Sequence, residues 1–107
     1  KAYHLLYTAY DRQQSTWGTF YLAKCAFNGL GTPQDYGKAL EFIRKMTFEN
    51  PEADYMQGYI HARGLGGVPE DIKKGVELLK KAGNLPEAKE ELLHYKKTLF
   101  GKWVRRS

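Results

Sequence analysis

The sequence predicts an all-α protein, an α-solenoid of stacked helix-turn-helix units closed by a C-terminal capping helix. Three observations predict it: the chain repeats itself every 35 to 36 residues, each period carries a glycine turn and then an aspartate suited to opening a helix, and no segment sustains the alternation of a strand. Gly29, Leu30 and Gly31 return as Gly64, Leu65 and Gly66. Pro33, Asp35, Lys38, Glu41 and Lys45 return as Pro69, Asp71, Lys74, Glu77 and Lys81, one residue further along, which places a single insertion near Gly67. Eight identities in seventeen aligned positions compare with roughly one expected from average composition. The period continues outward, with Pro51, Glu52 and Ala53 repeated as Pro86, Glu87 and Ala88, and with residues 2–9 matching 39–46 and 75–82.

These matches divide one repeat domain into a partial unit over residues 1–14 (a second helix), a first full repeat over 15–50, a second over 51–84, and a capping helix with a basic tail over 85–107. Ser15 is placed to cap a helix running to about Asn28, which Gly29 ends in a left-handed turn. Asp35 opens the next helix, whose residues Ala39, Leu40, Phe42 and Ile43 form one apolar stripe with Lys38, Glu41 and Lys45 outside it. Asn50, Pro51 and Glu52 supply a cap, a first-turn proline and an acid at the positive end of the third helix, and Gly64 ends it. Asp71 opens the fourth, with Gly75, Val76, Leu78 and Leu79 as the stripe. Ala23 and Gly58 share one register, where small side chains let the paired helix come close. The last segment reads as one long helix from Pro86 to about Val104, with Leu93 at that register, shielding the final apolar face. Two short helices cannot cover both their faces alone, so stacked neighbours complete the core.

Composition narrows the function classes. A chain of 107 residues with 42% hydrophobic residues has room for one modest core and none for separate cofactor and substrate domains. No apolar run is long enough to span a membrane. The net charge of +5 comes from Lys96, Lys97, Lys102, Arg105 and Arg106, with no acid among the last thirteen residues, while the first 94 balance 12 bases against 12 acids. That cluster, with Phe100 and Trp103, could touch nucleic acid or an anionic membrane; the simpler reading, a solvated helix end, is preferred, and no nucleic-acid partner is expected. Cys25 alone forms no intrachain disulfide. No signal-peptide pattern follows Lys1, and without an initiator methionine the chain reads as starting where something was cut away; the compartment stays open, with the cytoplasm favoured.

Catalytic and metal chemistry find little support. His4, His61 and His94 fall on different expected helices with no i, i+4 pair. Cys25 lies in no activating motif, Gly64–Gly67 follows a helix and lacks the Gly-Lys-Ser/Thr of a phosphate loop, and Asp35 and Asp71 are committed to capping. No cofactor and no metal are expected.

The glycine and aspartate sets resemble the Sel1-like repeat, a relative of the tetratricopeptide repeat. In the second unit Ala53, Tyr55, Gly58, Gly64, Gly66, Val68 and Asp71 follow that pattern, whereas Gln57, His61 and Gly75 depart from it. In the first, Phe20, Leu22, Gly29, Gly31, Asp35, Tyr36 and Ala39 match or substitute conservatively, and Gly18, Ala23 and Ala26 do not. The resemblance implies an adaptor or scaffold that binds a protein or peptide and has no activity of its own. Concave surfaces of such stacks are lined by first helices, and removing the pattern positions leaves Tyr21, Lys24, Phe27 and Asn28, then Met56, Tyr59, Ile60 and Arg63, with His94 and Lys97 extending the row; of these Tyr21, Lys24, Phe27, Met56, Tyr59, Arg63 and His94 are the expected partner-binding residues. An inhibitor or immunity protein using the same surface against one enzyme, and a helical enzyme with an unannounced pocket, are the alternatives.

Overall fold

Both repeat aspartates open helices. The structure, a computed structural model, describes residues 16–46 and 49–106; Ser15 and the partial unit expected over 1–14 lie outside the described residues. The order is α1 Thr16–Asn28, α2 Tyr36–Arg44, α3 Pro51–Arg63, α4 Ile72–Lys81 and α5 Pro86–Leu92, then β1 Tyr95–Lys97 and β2 Trp103–Arg105. The fold is an all-helical repeat with one small antiparallel sheet. The chain divides into two compact units, residues 1–49 and 50–107.

In the first unit α2 packs on α1. Gly29 adopts φ +73°, and the N–H groups of Gly29 and Leu30 donate to the Cys25 carbonyl at 2.8 and 2.9 Å. Asp35 N–H donates to the Ala26 carbonyl at 2.8 Å and the Gln34 amide to that of Phe27 at 2.8 Å. Carbonyls at the end of α1 that no helical N–H reaches are thereby satisfied. Asp35 Oδ1 accepts from Lys38 N–H at 3.0 Å, and Ala39, Leu40, Phe42 and Ile43 are the buried stripe of α2.

The second unit repeats this design. Asn50 accepts from Glu52 N–H at 2.8 Å, Gly64 takes φ +65° at the end of α3, Asp71 N–H donates to the His61 carbonyl at 2.7 Å and Asp71 Oδ1 accepts from Lys74 N–H at 3.0 Å. The extra residue, Gly67, is exposed with φ +86° and nothing within 4 Å of where its Cβ would be. It sits in a small turn of its own, closed by the Val68 N–H donating to the Leu65 carbonyl at 3.3 Å, within the longer return that Asp71 closes. Gly75, Val76 and Leu79 are buried on α4, and Leu78 is half-buried. Replacing Asp71 by alanine removes the acceptor for a first-turn N–H and is expected to cost about 1 kcal/mol in urea unfolding, with asparagine restoring most of it.

In this unit α3 and α4 meet through glycine. A methyl built on Gly58 would lie 2.8 Å from Leu79 Cγ and 2.9 Å from the Gly75 carbonyl oxygen; one on Gly75 would lie 2.7 Å from Ala62 Cα. The small-residue register expected at Gly58 is therefore a close helix contact, extended by a second glycine on the facing helix.

The C-terminal segment corrects the sequence reading. The capping helix expected from Pro86 to about Val104 ends at Leu92, and a hairpin follows, pairing Tyr95 with Arg105, Lys96 with Val104 and Lys97 with Trp103. Leu93, expected at the small-residue register, is 71% exposed. The reason is side-chain burial: Tyr95 is 2% exposed and joins Ala62, Val76, Leu79, Ala82 and Ala88 in the core, and Trp103 packs against that cluster. β-Prone Tyr95, Thr98, Trp103 and Val104 favour the paired form, and Gly101 supplies a turn at φ +80°. The basic tail is likewise fastened, since Arg105 pairs with Glu70 at 2.8 Å and the Arg106 N–H donates to the His94 carbonyl at 2.7 Å.

Candidate functional site

The side chains expected to bind a partner divide by burial. In the first unit Tyr21 is exposed and Lys24 is half-buried, the Lys24 ammonium lying 5.5 Å from the Phe20 ring centroid. Phe27 does not join them. It is 6% exposed and meets Tyr36 edge-on at 5.4 Å between centroids, so it fills the core beneath the turn. In the second unit Met56, 2% exposed, is likewise buried and offers no docking surface. Tyr59 and Arg63 do come together, one helical turn apart on α3, while His94 is exposed just beyond α5.

Tyr59 and Arg63 belong to a polar cluster that sequence reasoning saw only in part. The Arg63 guanidinium sits 4.6 Å over the Tyr59 ring, and Tyr55 lies 6.0 Å from Tyr59 between centroids. From its other side Arg63 grips Glu91 on α5 with two parallel hydrogen bonds, Nε to Oε2 at 2.7 Å and Nη2 to Oε1 at 3.0 Å. The Tyr95 hydroxyl donates to Glu91 Oε2 at 2.8 Å. Glu91 is 6% exposed, and a carboxylate so enclosed persists only with partners of this kind. Burial first, then the Glu91 charge, pushes the Tyr55 hydroxyl up to about 12; burial and the hydrogen bond to Glu91 do the same to Tyr95. Both stay neutral at physiological pH.

The geometry assigns Arg63 two tasks, tying α3 to α5 and holding Tyr59 flat beneath it. Truncating Arg63 therefore disturbs folding as well as surface. Glu91 and Tyr95 were missed because the long helix expected over 86–104 hid the end of α5; their i, i+4 spacing and the 28 residues back to Arg63 announced nothing alone. Elsewhere, burial pushes the Cys25 thiol up, which disfavours the reactive thiolate. Among the described residues no group of three or more His, Cys, Asp or Glu side chains is arranged to hold a metal ion, and no helix is long and apolar enough to cross a membrane.

Comparison with known proteins identifies the repeat. The model of the Sel1 repeat matches residues 18–46 and 51–86, the two glycine-turn hairpins described above. Among solved structures, the crystal structure of a Sel1 repeat protein from Oxalobacter formigenes is similar, with 29% sequence identity and a TM-score of 0.61 over 74% of this chain. That alignment spans 23% of the Oxalobacter chain. No curated protein matches the sequence. With its family model matched over more than half of the residues, the chain belongs to the Sel1 repeat family.

Proposed function

We propose that the protein is a non-catalytic adaptor that captures a protein or peptide partner, with Tyr59 and Arg63 on α3 as the anchor in the second unit. Sel1 repeats are commonly protein–protein interaction modules and typically non-catalytic. The observation that carries the reading is the half-buried Tyr55–Tyr59–Arg63 face, fixed from behind by Glu91, with the Arg63 side chain still 35% exposed. Aromatic and arginine side chains of restricted mobility are the types that dominate binding energy at interfaces, because little conformational freedom is lost when a partner covers them. Tyr21 and Lys24 are the corresponding candidates in the first unit and His94 the candidate beyond α5. Phe27 and Met56 act in this reading only as support.

The test is site-specific photocrosslinking of the full-length protein in its own cells, with the crosslinker replacing Tyr59, Tyr21 or Leu30, followed by mass spectrometry. One partner captured at position 59, and lost from Tyr59→Ala protein that melts within about 3 °C of the parent, is the expected outcome. Capture at position 30 alone would move the interface away from this face.

A further inference from the structure

The terminal hairpin is built in two halves of opposite character. Its base is anchored: Tyr95 is buried and bonded to Glu91, Trp103 packs on the core beneath the Lys80 ammonium at 4.9 Å, and Arg105 holds Glu70. Its tip is held just as definitely. Gly101 N–H donates to the Thr98 carbonyl at 2.9 Å, Thr98 N–H to the Lys102 carbonyl at 2.7 Å, and Lys102 N–H to Thr98 Oγ1 at 3.1 Å. This is a tight turn closed by a left-handed glycine. Leu99 and Phe100 occupy its two central positions, where polar turn residues ordinarily stand. They are 103% and 98% exposed, so no described residue covers them.

We propose that this hairpin is a membrane-surface anchor, inserting Leu99 and Phe100 into the interfacial region of an anionic bilayer while Lys96, Lys97 and Lys102 meet the lipid headgroups. Charge complementarity selects this occupant. Residues 92–107 contain five lysines and arginines and no acid, and Lys96, Lys97 and Lys102 are exposed around the apolar pair. Two adjacent apolar side chains at the apex of a rigid turn suit insertion into a soft medium; a nucleic acid would employ the Phe100 ring by stacking but gives Leu99 no comparable role. Two side chains alone bind weakly. Added cations each strengthen attachment to an acidic surface roughly fivefold, and apolar insertion combined with a basic collar is the pairing that makes peripheral attachment measurable. The inference is independent of the partner face on α3: tip and face use different residues.

Flotation with phosphatidylcholine vesicles and with vesicles containing about 30% phosphatidylserine tests it on the full chain. Binding to the acidic vesicles alone, weakened at least tenfold by Leu99→Ser with Phe100→Ser and similarly by Lys96→Gln with Lys97→Gln and Lys102→Gln, is expected. The tip variant should melt with the parent, because Leu99 and Phe100 are fully exposed among the described residues. Direct insertion is read by Phe100→Trp in a Trp17→Phe background, compared with that background alone so that the emission of Trp103 is subtracted; the added indole emission should shift to the blue and be quenched by brominated lipid. No vesicle binding at low salt, binding indifferent to the tip variant, or tip-dependent binding of single-stranded nucleic acid in place of vesicles would each overturn the proposal.

Discussion

Gly75→Ala is expected to destabilise the 50–107 unit by about 2–3 kcal/mol in urea unfolding followed by circular dichroism, and Gly75→Leu to prevent its folding. The sign decides the matter. On an open helix face, glycine to alanine stabilises by about 1 kcal/mol through backbone entropy, so propensity alone predicts a gain. Here the added methyl would stand 2.7 Å from Ala62 Cα, a backbone atom that moves only if α3 moves. Gly58 from the other side closes on Leu79 and the Gly75 carbonyl, so displacing one helix loosens both contacts. Ala62→Gly in the Gly75→Ala background should restore part of the loss. A stabilised Gly75→Ala protein would overturn the close contact between α3 and α4.

Arg63→Ala is expected to cost more than Glu91→Gln, about 3 against about 1–2 kcal/mol, although both remove the same ion pair. Losing Arg63 leaves an enclosed carboxylate with only the Tyr95 hydroxyl for company, and breaking such a pair from one side costs about 3–5 kcal/mol when burial is complete. The partial exposure of Arg63 puts the value at the lower end. Glu91→Gln removes the charge, keeps an acceptor for Tyr95 and lets Arg63 reach water. Replacing both by methionine should recover much of the Arg63→Ala loss, and a double-mutant cycle gives the coupling directly. Alkali reports on the same cluster. Tyr95 ionises near 12 in the folded protein and at about 10 when unfolded, so its contribution is whole below pH 10 and disappears as the pH climbs towards 12. Tyr95→Phe should remove the Tyr95 share of that slope and leave the share of Tyr55, pushed likewise up to about 12.

The repeat frame was legible because its signals are local. A left-handed glycine, a capping aspartate and a four-residue apolar stripe each act within a few residues of themselves, and Gly29, Gly64, Asp35, Asp71 and the stripe of α2 stand where their spacing placed them. The terminal segment was misread for the opposite reason. Whether residues 93–106 wind or pair depends on what Tyr95 and Trp103 find to pack against, and periodicity carries no record of that. The same holds for the surface row. Spacing put Met56 and Phe27 beside Tyr59 and Tyr21, but helical position does not reveal which side chains the rest of the fold will cover. Gln34 and Glu70 make the point within one register position: the first turns inward to the Phe27 carbonyl, the second outward to Arg105.

The small turn at Gly67 has a practical side. The second unit carries one residue more than the first between its helices, yet the bond that closes the return, from Asp71 to His61, is as short as its counterpart from Asp35 to Ala26. Length there is decoupled from closure, because the surplus is taken up at exposed Gly66 and Gly67 inside the small turn from Leu65 to Val68. A foreign epitope or fluorescent label spliced in at this point would emerge from an exposed position, marking the protein while the return from Asp71 to His61 stays closed.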